Sequence, residues 1–229
     1  MLKGSFSKKS WGPIAGVVLG FLAFKIPEWL MIGIKPLLVP LLPVGNTQTL
    51  LLYGVFEALT IGVLYLMVTW YYQRFSDIGL GRFKPDYIVK AALAFCAYFV
   101  FTFALSKFVE QFLVIPDQAQ ELGFAGPTSL ELVLIFAALV VVVPIAEELL
   151  FRGFIFKGVR AAFSFPITAL VVSVLFAVAH GQLNVGLDVF ALSLVLCYLR
   201  EKTNSLWPGI LLHATKNGVA FFLLFIYNG

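Results

Sequence analysis

Charge is what this sequence has least of. Asp, Glu, Lys and Arg make up 12% of its 229 residues and hydrophobic residues 61%, where a soluble domain carries about 25% and 45–50%. So little charge excludes a single water-soluble domain, because that much apolar surface cannot be hidden in one core. Long apolar runs parted by short charged loops instead indicate a membrane protein. The net charge is +4, but the basic residues lie scattered between apolar runs rather than in one stripe, which argues against a nucleic-acid partner. Cysteine is scarce as well. Cys96 and Cys197 both fall inside apolar runs, so buried structural thiols are expected and no disulfide framework is implied. Histidine occurs twice, at positions 180 and 213. No internal repeat, low-complexity tail or second domain is visible.

The apolar runs predict an all-α polytopic transmembrane bundle of about seven spans (six to eight). They lie near residues 13–33, 50–72, 88–113, 130–157, 166–181, 186–200 and 206–226. The first is expected to remain as an uncleaved helix, although Lys3, Lys8 and Lys9 ahead of it resemble the start of a signal peptide. Residues 36–44 hold Pro36, Pro40 and Pro43, so an irregular or re-entrant connection is expected there. Lys3, Lys8, Lys9, Arg74, Arg82, Lys84, Lys90, Lys157, Arg160, Arg200 and Lys202 fall on one side of this map. Lys35, Asp117 and Glu121 fall on the other. By the positive-inside rule the N-terminus is cytoplasmic. In a bacterial host the membrane would be the inner one.

An ionisable group inside a span costs about 2.5–3.5 kcal/mol on insertion scales and is a functional candidate by default. The fourth span reads Pro144-Ile-Ala-Glu147-Glu148-Leu-Leu-Phe-Arg152. Glu148 and Arg152, four apart, share a helical face and can pair. Glu147, turned by about 100°, is free for another partner and suited to general-base work. Pro144 is expected to kink the helix and open room for water. Phe176 with His180, and His213 with Asn217, repeat the four-residue spacing on two further spans. Counting at 1.5 Å per residue puts Glu147, His180 and His213 about 15, 21 and 12 Å from the basic side, in one slab nearer the cytoplasmic half. Elsewhere, Lys25 and Glu28 are expected to pair, and Glu57, Lys107, Glu110 and Glu131 to reach span ends by snorkelling. Asp188 reads as a capping or interfacial residue. Phe95, Phe99 and Phe103 read as lipid-facing or packing residues.

At these residues the sequence resembles the CPBP family, the CAAX prenyl proteases of the second type and bacteriocin-processing enzymes. Glu-Glu-x-x-x-Arg stands as Glu147, Glu148 and Arg152, Phe-x-x-x-His as Phe176 and His180, and His-x-x-x-Asn as His213 and Asn217. The resemblance covers roughly residues 130–220. It divides one integral membrane domain into variable N-terminal helices, 1–125, and a catalytic core, 126–229. Two family features depart: glycines before the third motif appear as Ser193 and Cys197, and a Thr-Gly turn as Thr203-Asn204. Small side chains still permit close helix approach, and asparagine tolerates the left-handed conformation.

The resemblance implies a glutamate-dependent intramembrane endopeptidase. Glu147 and His180 would activate a water, His213 and Asn217 would donate to the oxyanion, Glu148 and Arg152 would orient Glu147, and Phe176 would pack beside the site. Two histidines and a glutamate can hold Zn²⁺, but no H-E-x-x-H is present and no metal is expected. The implied partners are the lipid bilayer and a peptide or protein substrate, possibly lipidated or membrane-embedded: a prenylated CAAX tail, a leader peptide, a pheromone or a membrane protein. The alternative is a non-proteolytic immunity or scaffold protein that binds a peptide or membrane partner. A proton-relaying transporter is disfavoured by the lack of a repeat.

Overall fold

The computed structural model describes residues 13–72, 74–114, 122–181 and 183–227, with side chains from residue 18 onward and not at 183–184. Lys3, Lys8, Lys9, Asp117 and Glu121 therefore lie outside the described residues. Among the described residues, seven long helices follow the predicted order: α1 Pro13–Leu38, α2 Asn46–Tyr71, α3 Asp86–Val109, α4 Ser129–Arg160, α5 Phe165–Ala179, α6 Leu183–Thr203 and α7 Trp207–Tyr227. No strand occurs among the described residues. By length and composition, α2, α3, α4 and α7 can each cross a membrane, and α5 is a shorter apolar helix. Their outward faces are apolar, with Leu66, Leu93, Val100 and Val133 all well exposed. Exposed apolar side chains in this number suit lipid rather than water.

Residues 39–44 form the expected irregular connection, with only residues 36–38 of that stretch still helical. α1 continues through Pro27 and Pro36 to Leu38, a 3₁₀ turn follows at Val39–Leu41, and the chain reverses at Gly45. Each proline forfeits one ladder bond, yet its fixed φ is compatible with a helix, so a long apolar helix can pass through it. At the other end of α2, residues 74–85 fold back against the bundle. Short links at 161–164 and 204–206 make α4 and α5, and α6 and α7, antiparallel neighbours. Asn204 has φ 51. Asparagine thus takes the left-handed turn expected of Thr203-Asn204.

α4 is the axis of the bundle. It opens on a capping box between Thr128 and Glu131, so Glu131 serves the helix start rather than snorkelling. Every residue from 148 to 156 is buried, which requires a helix covered on all sides. α1 crosses it so closely that a Cβ on Gly20 would lie 2.7 Å from Ile155 Cγ1. Two stretches, Ala137–Val142 and Glu148–Ile155, are wound as π-helix. Pro144 lies between them, where it cannot donate to the ladder and crowds the preceding turn. The widened turns accommodate it, so local widening answers the kink expected at this proline.

Ser193 and Cys197 are fully buried on α6, consistent with their reading as small contact residues. Cys96 corrects the expectation of two buried thiols, since it is exposed on the outer face of α3. In a chain whose exterior faces lipid, an apolar position need not be an interior one. Phe99 and Phe103 face outward on the same helix, while Phe95 packs onto the cluster joining α3, α6 and α7. The expected Lys25–Glu28 pair forms at 2.6 Å, and Lys107 pairs with Glu110 at the exposed end of α3.

Candidate active site

A cavity of about 450 Å³ opens between α1, α2, α4, α5, α6 and α7. Glu147, His180, His213 and Asn217 all line it. Glu148, Arg152 and Phe176 stand behind that wall, fully buried. The three motifs therefore converge in space, with four polar groups facing the cavity and three residues supporting them.

The support is built on Glu148. Its Oε1 accepts from Arg152 Nη1 at 3.0 Å and from His213 Nδ1 at 3.1 Å. The first contact is the pair that the four-residue spacing predicts. The second ties Glu148, held by Arg152, to His213 as well. With Nδ1 donating to a carboxylate, the neutral imidazole presents Nε2 as an acceptor. Nε2 lies 3.5 Å from Glu147 Oε2, a contact that becomes an ion pair when the imidazole is protonated, so His213 stands between the two adjacent glutamates.

His180 is fixed in a related way. Its Nδ1 donates to the Phe176 carbonyl one turn back, at 2.8 Å, which leaves its Nε2 unprotonated in the neutral ring. The Phe176 ring meets His180 edge-on with centroids 4.8 Å apart, and His213 likewise at 5.9 Å. The Arg152 guanidinium lies 4.3 Å from the same ring's centroid. Asn217 Nδ2 donates to the Leu139 carbonyl at 2.9 Å. Leu139 sits in the first π-helical stretch, where shifted ladder bonds leave carbonyls for other donors. Among the described residues, no group of three or more His, Cys, Asp or Glu side chains is arranged to hold a metal ion.

Residues 129–219 match the family model described as type II CAAX prenyl endopeptidase Rce1-like. This stretch of the chain is Rce1-like. The match starts at the first residue of α4, runs into α7 and contains all three motifs, so the resemblance read from them is borne out over the same region. No curated protein and no solved structure matches the chain. Helices apolar enough to cross a bilayer, together with a stretch similar to the type II CAAX prenyl endopeptidases, support an integral membrane protein with a protease-like core.

Sequence reading alone missed several polar residues around the Rce1-like core. Lys216, next to Asn217, lines the cavity and pairs with Asp188 at 3.2 Å. Asp188 also accepts from Tyr98 and Thr102 of α3, so it ties three helices together rather than capping one. Lys216 was open to detection as an ionisable residue within a span. Glu57 corrects the snorkelling expectation, being buried within α2 and facing the cavity. Arg200 is also buried, bonding the carbonyls of Arg152 and Ile78 and the Asn204 side chain. Its position at a helix end in the sequence gave no sign of that role.

Proposed function

We propose that the chain is a glutamate-dependent intramembrane endopeptidase. The observation that carries this reading is the placement of His213 between Glu148 and Glu147 at the wall of a cavity among apolar helices. Glu147 takes a proton from a water placed between it and His180 Nε2 as the water oxygen bonds to the scissile carbonyl carbon. The resulting oxyanion accepts from His213 and Asn217. His213 serves as that donor in its imidazolium form, having taken a proton at Nε2 from solvent in the cavity before the cycle begins and keeping it throughout, and Glu148 at Nδ1 favours that form. Collapse of the intermediate breaks the C–N bond, and the proton held by Glu147 passes to the departing amine. Asn217 must exchange its bond to Leu139 for one to the oxyanion, and losing one such donor typically costs about 10²–10³ in rate.

The substrate is a peptide or membrane protein segment, with a lipidated tail as one form, in keeping with the prenyl endopeptidases named in the family match. Water activation proceeds without a resident metal. The N-terminus and the basic side of the helix map, with Arg74, Arg82, Lys84, Lys90, Lys157, Arg160, Arg200 and Lys202, lie at the cytoplasmic end, by the positive-inside rule. Residues 1–125 form the variable part and 126–229 the catalytic core.

Peptide termini compared between wild type and Glu147→Gln at matched expression test the reading. New termini present with wild type alone, and persisting with a zinc chelator, support it. No difference across a broad substrate set, with the variant still supporting the cellular phenotype, replaces it with a binding or immunity role.

A further inference from the structure

The cavity wall has ionisable groups outside the three motifs, namely Glu28, Glu57 and Lys216. Two of them are already neutralised. Glu28 pairs with Lys25 at 2.6 Å and Lys216 with Asp188 at 3.2 Å. Glu147 has His213 beside it. Glu57 has no hydrogen bond or ion pair among the described residues, although it is 9% exposed and lines the cavity. Its neighbours on α2 do not satisfy it, since Thr60 Oγ1 donates to the Phe56 carbonyl. A carboxylate in this position is costly in an apolar medium unless a cation or donor meets it. None is supplied among the described residues, while the space in front of Glu57 is continuous with the space in front of Glu147.

We infer that Glu57 is a specificity-determining residue that receives a basic side chain, Lys or Arg, of the peptide substrate near the bond presented to Glu147. This rests on the endopeptidase reading for the identity of the ligand. A cavity of about 450 Å³ lies within the range that holds a ligand of side-chain and backbone size. Among the described residues the wall holds one carboxyl without a partner beyond the reacting group, and an approaching cation would favour its ionised form, so the complement it selects is a positive one. Glu57 lies on α2, outside the Rce1-like stretch. Substrate choice would then come from the N-terminal helices, and hydrolysis from the core.

The test uses the full chain in proteoliposomes with single-span peptides carrying Lys, Gln or Glu at one position, moved through successive registers. Binding is read by fluorescence transfer and cleavage by mass spectrometry. Wild type is expected to prefer the Lys peptide over the Gln peptide by about tenfold or more at one register, as a charge-assisted hydrogen bond gives. Glu57→Gln should erase that ratio, Glu57→Asp retain part of it, and Glu57→Lys turn it toward the Glu peptide. Glu147→Gln should keep the binding ratio and cut nothing. Removing a charge from the bilayer interior favours insertion, so Glu57→Gln should stay folded.

A wild type with no Lys preference at any register, or a ratio unchanged in Glu57→Gln, overturns the inference. Cleavage without charge preference removes the Glu57 site and leaves the protease. Charge-selective binding without cleavage keeps the site and removes the protease.

Discussion

The guanidinium of Arg152 lies over the ring of Phe176, 4.3 Å from its centroid, while one of its nitrogens holds Glu148 at 3.0 Å. A single aromatic ring thus touches the cation that steadies Glu148 and both histidines of the cavity. We expect Arg152→Ala to leave Glu148 buried and uncompensated, lowering stability by about 3–5 kcal/mol. Arg152→Lys should also fail to restore activity, because an ammonium lacks the planar face and fork that stack and pair here. Thermal unfolding in detergent and a peptide-cleavage assay check the two statements.

Phe176→Leu keeps an apolar group under the site but removes the ring. The expected loss is about 1–3 kcal/mol of stability, with a fall in activity larger than the fraction unfolded explains, since both imidazoles lose their edge contact. Equal losses of activity and of folded protein would show that Phe176 serves packing alone.

Gly209 approaches the rear of Glu148. A Cβ there would lie 2.9 Å from Glu148 Oε2 and 3.5 Å from Leu196 Cδ2. We expect Gly209→Ala to push that carboxylate off His213, costing about 1–3 kcal/mol and about tenfold or more in rate, taking one charge-assisted hydrogen bond as the measure. Gly54→Ala is the matched comparison. Nothing lies within 4 Å of a Cβ at that helical position, so it should stabilise by about 0.5–1 kcal/mol and leave the rate unchanged.

Arg200 joins the 3₁₀ turn Phe75–Ile78 to the core through the Ile78 and Arg152 carbonyls. The link is reinforced by Leu206 N donating to Gly79 O at 2.9 Å and Trp207 Nε1 to Gly81 O at 2.7 Å. With Arg200→Met, residues 74–85 should become cleavable by added protease at least several-fold faster. A pattern of limited proteolysis identical to wild type would assign the loop's position to its other contacts.

Much of this protein is legible in its linear order, and for a definite reason. A bilayer demands long apolar runs and makes each intruding charge costly, so both the seven helices and the polar motif residues stand out against a monotonous background. Four-residue spacing on a helix also settles which neighbours share a face, as Glu148 and Arg152 do. Relations between helices are another matter. That His213 reaches Glu148 as well as Glu147 depends on α7 crossing the π-wound part of α4, which no spacing within one helix encodes. Glu57 and Arg200 read as residues of span ends or loops until α2 and residues 74–85 fold against the core and bury them. The sequence by itself determined a helical membrane protein with three polar motifs at a common depth, because solvent exclusion acts on each segment separately. Tertiary packing decided which of those groups face the cavity and which support them, because that depends on contacts between segments far apart in the chain.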